Sequence, residues 1–251
     1  MVNARERLNA IVCDGLAVDL YYADEANALY SRIGESAHQI DRATFGAFFG
    51  SIQLMLGRYL ILSTVRLFDR PTSKYQVRSV PAALRLLRDN RDTLAIEQRH
   101  GLVSTLVRRG VARDEVSHLS DIELSDFVVD FFENRLSSST PEGAANACAL
   151  TRLKTARDKV IAHSEVLISE SIPSTTFAEM DSLLDLARCF VAAVGFGYLS
   201  SAHETDDGHN FLASDARRST ICLTRLLERA GVIPASGYGA EAFAQLGHLA
   251  G

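Results

Sequence analysis

Alternation of polar and apolar residues, the pattern that seats one face of a strand on a core, is almost missing from this chain. Its scarcity excludes a sheet-built fold. Cysteine is scarce too: Cys13, Cys148, Cys189 and Cys222 stand far apart, without a Cys-x-x-Cys pair, and no apolar leader segment opens the chain. A reducing, cytoplasmic compartment is the expectation. Long apolar runs are also short of what a membrane needs, because "FGAFFGSIQLMLG" is followed by Arg58 and Arg66 before it reaches the ~20 residues of a bilayer span. A soluble chain without membrane contact follows. There is no P-loop, no nucleophilic serine or cysteine in a catalytic motif, and no internal repeat. The "GFG" of Gly195 to Gly197 lacks the preceding strand of a dinucleotide fold, and reads as close helix packing.

What is present is helical signal from end to end, so the fold class is all-α. The 251 residues are 47% hydrophobic, enough for one sizeable core. A single domain over 1–251 is the expectation, with a core over 5–200 and a carboxy-terminal helix and mobile glycine- and alanine-rich tail over 213–251. Asn3 and Glu6 have capping-box spacing ahead of Leu8, Ile11, Val12, Leu16 and Leu20. Asp41 is placed to cap a long second helix that must end before Pro71. Ser79 opens a shorter helix, Gly110 closes the next, and Ser120 with Glu123 opens "DIELSDFVVDFFENRL". After the hinge "LSSSTPEG", Thr140 caps a helix with Pro141 at its first position and Glu142 near the positive end of its dipole. Thr176 with Glu179 makes another capping box, and Ser214 opens a last helix ending near Gly231.

Net charge is −5, against bulk coating of nucleic acid. The charge is segregated, however. Residues 66–113 hold eleven basic side chains against four acidic ones, and residues 114–142 hold eight acidic ones against Arg135 alone. Either these are neighbouring helix faces that attract each other, or the arginine-rich segment, with Arg85 and Arg88 at its centre, faces phosphate. Within "HETDDGHN", His203, Glu204, Asp206, Asp207 and His209 could ligate a cation as a set, yet no second cluster sits at metal-site spacing. A solvated loop without metal is the simpler reading.

The stretch "ARDKVIAHSE" carries the chemistry. On a regular helix each residue turns ~100°, so Asn146, Ala149, Leu153, Ala156, Val160, Ser164 and Leu167 form one stripe. Arg157 and His163 flank it, about 120° apart and ~9 Å along the axis. Asp158, Lys154 and Lys159 lie toward the polar side. A histidine of near-neutral pKa can move a proton between a ribose 2′-hydroxyl and a departing 5′-oxygen, while an arginine stabilises the charge on phosphorus. His163 is thus the candidate general acid/base, Arg157 the phosphate clamp and Asp158 an orienting residue. No metal or other cofactor is required by that scheme. A surface ion pair and a histidine at a helix seam would explain the same residues without chemistry. Arg66 and Asp69 in "VRLFDR", spaced i, i+3, could pair on one helix face.

The string "RDKVIAH" matches the Arg-x(4–6)-His signature of the HEPN superfamily, the higher eukaryotes and prokaryotes nucleotide-binding domains. With "LSTVRLFDR" upstream, the chain resembles the abortive-infection U-type branch over roughly residues 5–200. That resemblance implies an antiparallel helical bundle that dimerises through the motif helix and brings two motifs into one cleft. It implies a metal-independent endoribonuclease acting on RNA in phage defence or a toxin–antitoxin system, with a nucleotidyltransferase-type antitoxin as a candidate partner. Other members are non-catalytic modules that bind a nucleotide or a protein. It also makes Arg66 part of the cleft. Arg85 and Arg88 of the arginine-rich segment and Lys159 beside the motif are the other substrate-binding candidates.

Overall fold

The computed structural model describes residues 3–72, 74–162, 175–205 and 210–235. Helices α1 (Ala4–Ile11) and α2 (Ala17–Glu35) are joined without a break by a π-helical turn, Val12–Leu16. Then follow α3 (Ala37–Arg42), α4 (Gly46–Leu67), α5 (Val80–Asp89), α6 (Arg99–Arg108), α7 (Arg113–Val116), α8 (Asp121–Asn134), α9 (Pro141–Ala156), α10 (Phe177–Leu199) and α11 (Phe211–Arg229). Among the described residues there is no strand, only the single bridge Glu204–Asn210. The all-α class expected from the patterning is what the chain adopts.

Side-chain capping explains most helix starts. The boxes Asn3–Glu6, Ser120–Glu123 and Thr176–Glu179 all form, and Ser79 and Thr140 cap α5 and α9. Each such cap stabilises its helix by about 1 kcal/mol. Two expected starts move. Asp41 does not cap the long helix: it lies in α3, and Thr44, at a left-handed φ of 66°, turns the chain into α4 instead. Asn210 rather than Ser214 caps α11, which therefore begins earlier.

The core is organised around α10, whose Leu183, Leu184, Ala187, Phe190, Val191 and Val194 are all fully buried. It packs against α1, α2, α4, α6 and α9. Its neighbour α6 runs antiparallel to it, since Gly101 meets Phe196 near one end while Arg109 reaches Asp185 near the other. Gly197 lies under Leu102, where a β-carbon would be 3.1 Å from that side chain, so the "GFG" segment does serve close packing. Helices α2 and α4 are antiparallel as well: Gln53 donates to the Tyr30 carbonyl, and Arg66 faces Asp19. Helix α11 closes over α2, with Arg32 donating to Thr224.

The segregated charges resolve into an interhelical belt. Arg88 contacts Glu133 at 2.8 Å and Asp130 at 3.4 Å, Arg91 contacts Asp126 at 3.1 Å, and Arg99 contacts Asp121 at 2.6 Å. Exposed pairs of this kind contribute roughly 0–1 kcal/mol each, so they align α5, the segment after it and the start of α6 along α8 more than they add stability. Arg88 is therefore paired with carboxylates of α8.

Helices α4 and α10 are both long and apolar enough, by length and composition, to cross a membrane, although Arg58 and Arg66 lie within α4. Helix α10 uses its apolar surface in the core, whereas α4 has only 28% of its most apolar window buried and turns Phe48, Leu54, Met55 and Tyr59 outward.

Candidate active site

Two chain segments meet at the site. The first is the exit of α4: Phe68, buried, takes the C-cap position, and Asp69 follows just beyond the helix. Its backbone is tied down by the Ser79 hydroxyl, which donates to the Asp69 carbonyl at 2.6 Å while also capping α5. The second is the end of α9. There the ladder changes from α to a π-helical turn, Arg157–Ala162, starting at the first residue of the motif. Such a turn carries i→i+5 bonds and recurs at functional sites. The ~120° between Arg157 and His163 assumed a regular helix and does not apply once the ladder changes.

Arg157 Nη1 donates to both Asp69 carboxylate oxygens, at 3.2 and 3.1 Å, and its Nε donates to Asp158 Oδ1 at 2.7 Å. Lys154 Nζ stands 3.9 Å from Asp69. The guanidinium pKa is raised further above its already high value, first by the hydrogen bond it donates to Asp158 and then by the Asp69 charge. Arg157 is thus a fixed cation, oriented by two carboxylates and one-quarter exposed. Its Nη2 has no partner among the described residues.

The remaining expected residues are dispersed around this pair. Asp158 and Lys159 are exposed on the π-helical turn. Arg66 does not pair with Asp69: it reaches Asp19 at 3.3 Å, because Asp69 lies past the C-cap and has left the helix face they were expected to share. Arg66 and Asp69 nonetheless line one cavity of about 440 Å³, together with Asp14, Asp19, Gln76 and Arg78. Arg85, on α5, contacts Asp89 at 3.6 Å. His163, Ser164 and Leu167 lie outside the described residues, as do Asp206, Asp207 and His209 of the acidic loop. The described part of that loop is spoken for, with Glu204 pairing with Arg108 and Thr105. No group of three potential metal ligands occurs among the described residues.

The first positions of the small-residue stripe, Asn146, Ala149 and Leu153, face inward. Gly143, Asn146, Ala149 and Leu153 are buried, Asn146 donates to the Arg135 carbonyl at 3.0 Å, and α9 packs on α4 and α10 of its own chain. Asp69 is the residue that sequence reasoning left out of the site, and its place in "VRLFDR" was the available signal.

The described residues form an all-helical fold in which the Arg-led motif turn is held by the exit of a preceding long helix. The AbiU2 family model matches residues 4–218, both motif segments included, and the chain belongs to that family of abortive-infection HEPN domains. It is accordingly a HEPN-type module of the kind found in defence systems. No curated protein and no solved structure matches it significantly.

Proposed function

We propose that this chain is an endoribonuclease that cleaves RNA by attack of a ribose 2′-hydroxyl on the adjacent phosphorus. The attacking oxygen gives up its proton, the 5′-oxygen leaves with one, and the products are a 2′,3′-cyclic phosphate and a 5′-hydroxyl. His163 moves these protons, and Arg157 holds the phosphate oxygens as negative charge builds on them. Asp158 and Asp69 orient the guanidinium so that its fork is presented in one direction. Arg66 and Lys159 are the adjoining cations for the substrate.

The observation that carries this reading is the doubly held Arg157, since a cation fixed before substrate arrives need not be reorganised during reaction. The same two carboxylates also support a competing reading, in which Arg157 is a structural ion-pair hub and the chain is a non-catalytic module binding a nucleotide or a protein. Incubation with RNA in EDTA decides: cleavage leaving cyclic phosphate ends, lost in His163→Ala, supports the enzyme. Intact RNA with every substrate tested leaves the binding module. A homodimer through the motif helix would bring two copies of Arg157 together, and the outward face of α4, which descends from Phe48 through Met55 and Tyr59 toward Arg66, offers an exposed apolar surface for a second copy.

A further inference from the structure

A cavity of about 680 Å³ lies between α1, the connection from α4 to α5, and α5 itself. Arg7, Arg78 and Arg85 line it, with Tyr75, Gln76 and Asp89 among the others. Gln76, Val77 and Arg78 line both this cavity and the one that reaches Arg66 and Asp69, so the two adjoin across Arg78. Arg78 is built into place. Its stem crosses Gly15 of the first π-helical turn, where a β-carbon would come within 2.7 Å of it, and its Nη1 donates to the Asp14 carbonyl at 3.0 Å. Most arginines on this chain have a carboxylate close by, but among the described residues Arg7 and Arg78 have none within 4.0 Å and Arg85 only Asp89 at 3.6 Å. Three guanidiniums thus face one lining carboxylate, in a chain whose net charge is −5.

Tyr75 adds a flat apolar face. The residue is 60% exposed, and its backbone is held by reciprocal hydrogen bonds with Thr72. Lys74 Nζ stands 5.2 Å from the ring centroid. Guanidiniums bind phosphate oxygens through two parallel bonds, and an aromatic ring stacks any base regardless of sequence. The combination suits a strand whose bases are unstacked, since a duplex keeps its base faces covered.

We infer that this cavity is a second substrate subsite, which holds the phosphates and one base of single-stranded RNA flanking the bond at Arg157. Its place in a substrate path rests on the endoribonuclease reading, but its binding chemistry can be measured separately. The probe is a labelled 2′-O-methyl oligoribonucleotide of about 12 nucleotides, which lacks the attacking hydroxyl and so reports binding alone. Anisotropy is read for wild type, Arg78→Gln, Tyr75→Ala and, as a distant control on α11, Arg217→Gln, at two salt concentrations and against the matching duplex. Expected are tighter binding of single strand than duplex and a loss of roughly 10-fold or more in each cavity variant. Arg78→Gln should also lower the salt slope by about one, and the control should bind as wild type. Failure of the wild type to bind, equal binding of duplex, or unchanged affinity in both cavity variants overturns the subsite. Cleavage of unmodified RNA, measured in parallel, separates the two ideas: binding lost in the variants without cleavage by wild type keeps the subsite and removes the nuclease. Cleavage with unchanged affinity in the variants does the reverse.

Discussion

Arg157 and Asp69, 88 positions apart in the chain, are joined through Nη1 and both carboxylate oxygens, at 3.2 and 3.1 Å. The pair links the exit of α4 to the start of the motif turn. Both members are partly exposed, so the contact is worth no more than about 1 kcal/mol of stability. Its value to catalysis would be orientation. Asp69→Asn, which keeps the shape and removes the charge, should therefore shift thermal stability little while lowering RNA cleavage by ~10-fold or more. Equal losses in folding and activity would make the pair merely structural.

His163 is assigned the proton transfer. Replacing it by alanine should lower the cleavage rate by roughly 10²–10⁴-fold while RNA affinity stays near wild type, because a neutral imidazole attracts phosphate weakly. Arg157→Lys should recover only part of what Arg157→Ala loses, since lysine keeps the charge without the planar fork. Single-turnover rates and equilibrium affinities for the three variants check the assignment, and wild-type cleavage by His163→Ala would end it.

A different ion pair governs folding. Arg188 on α10 reaches Asp24 on α2 through Nε at 3.1 Å and Nη2 at 2.5 Å, and the Asp24 side chain is only 4% exposed. Arg188→Met should cost about 3–5 kcal/mol by leaving a buried carboxylate unpaired. The double variant Asp24→Leu with Arg188→Met should regain most of that in urea titrations, because it removes the orphaned charge as well.

Stability should fall in mild acid through His203. This half-buried imidazole lies 3.2 Å from the Ser201 hydroxyl and 3.9 Å from the Cys13 sulfur, and burial pushes its pKa below the ordinary 6.5. The unfolded chain takes up the proton first, so the stabilisation is complete above the ordinary value and is lost as pH drops below it. Thermal melts between about pH 7.5 and 5.5 should show the decline, and His203→Gln should flatten it. The capping carboxylates Glu123 and Glu179 lie below the ordinary 4.5, so their loss belongs to a separate window at lower pH.

The outward face of α4 should mediate self-association. Light scattering at micromolar concentration is expected to give a dimer, and Met55→Glu a monomer, since a charge placed in an apolar contact is costly. A monomeric wild type would remove the second copy, and wild-type partition into lipid vesicles would assign the face to a membrane instead.

Much of this molecule can be read in one dimension because caps, prolines and apolar spacing act within a few residues. The boxes at Asn3, Ser120 and Thr176, the stop ahead of Pro71 and the start at Pro141 are local hydrogen bonds and backbone restrictions, and all are legible in the sequence. So is the Arg-led motif, since its residues are contiguous. Partner choice is not local. Asp69 sits i+3 from Arg66, yet it leaves the helix at the C-cap and pairs with Arg157. Arg85 and Arg88 are near neighbours, yet one lines a cavity and the other is held by α8. The π-helical turn begins at the motif's first residue, and no spacing rule marks the place where the ladder gains a residue. The sequence determined which segments are helical and which residues could do chemistry. Only tertiary packing decided which charges meet, because an ion pair depends on how helices cross, and that is settled by the whole core at once.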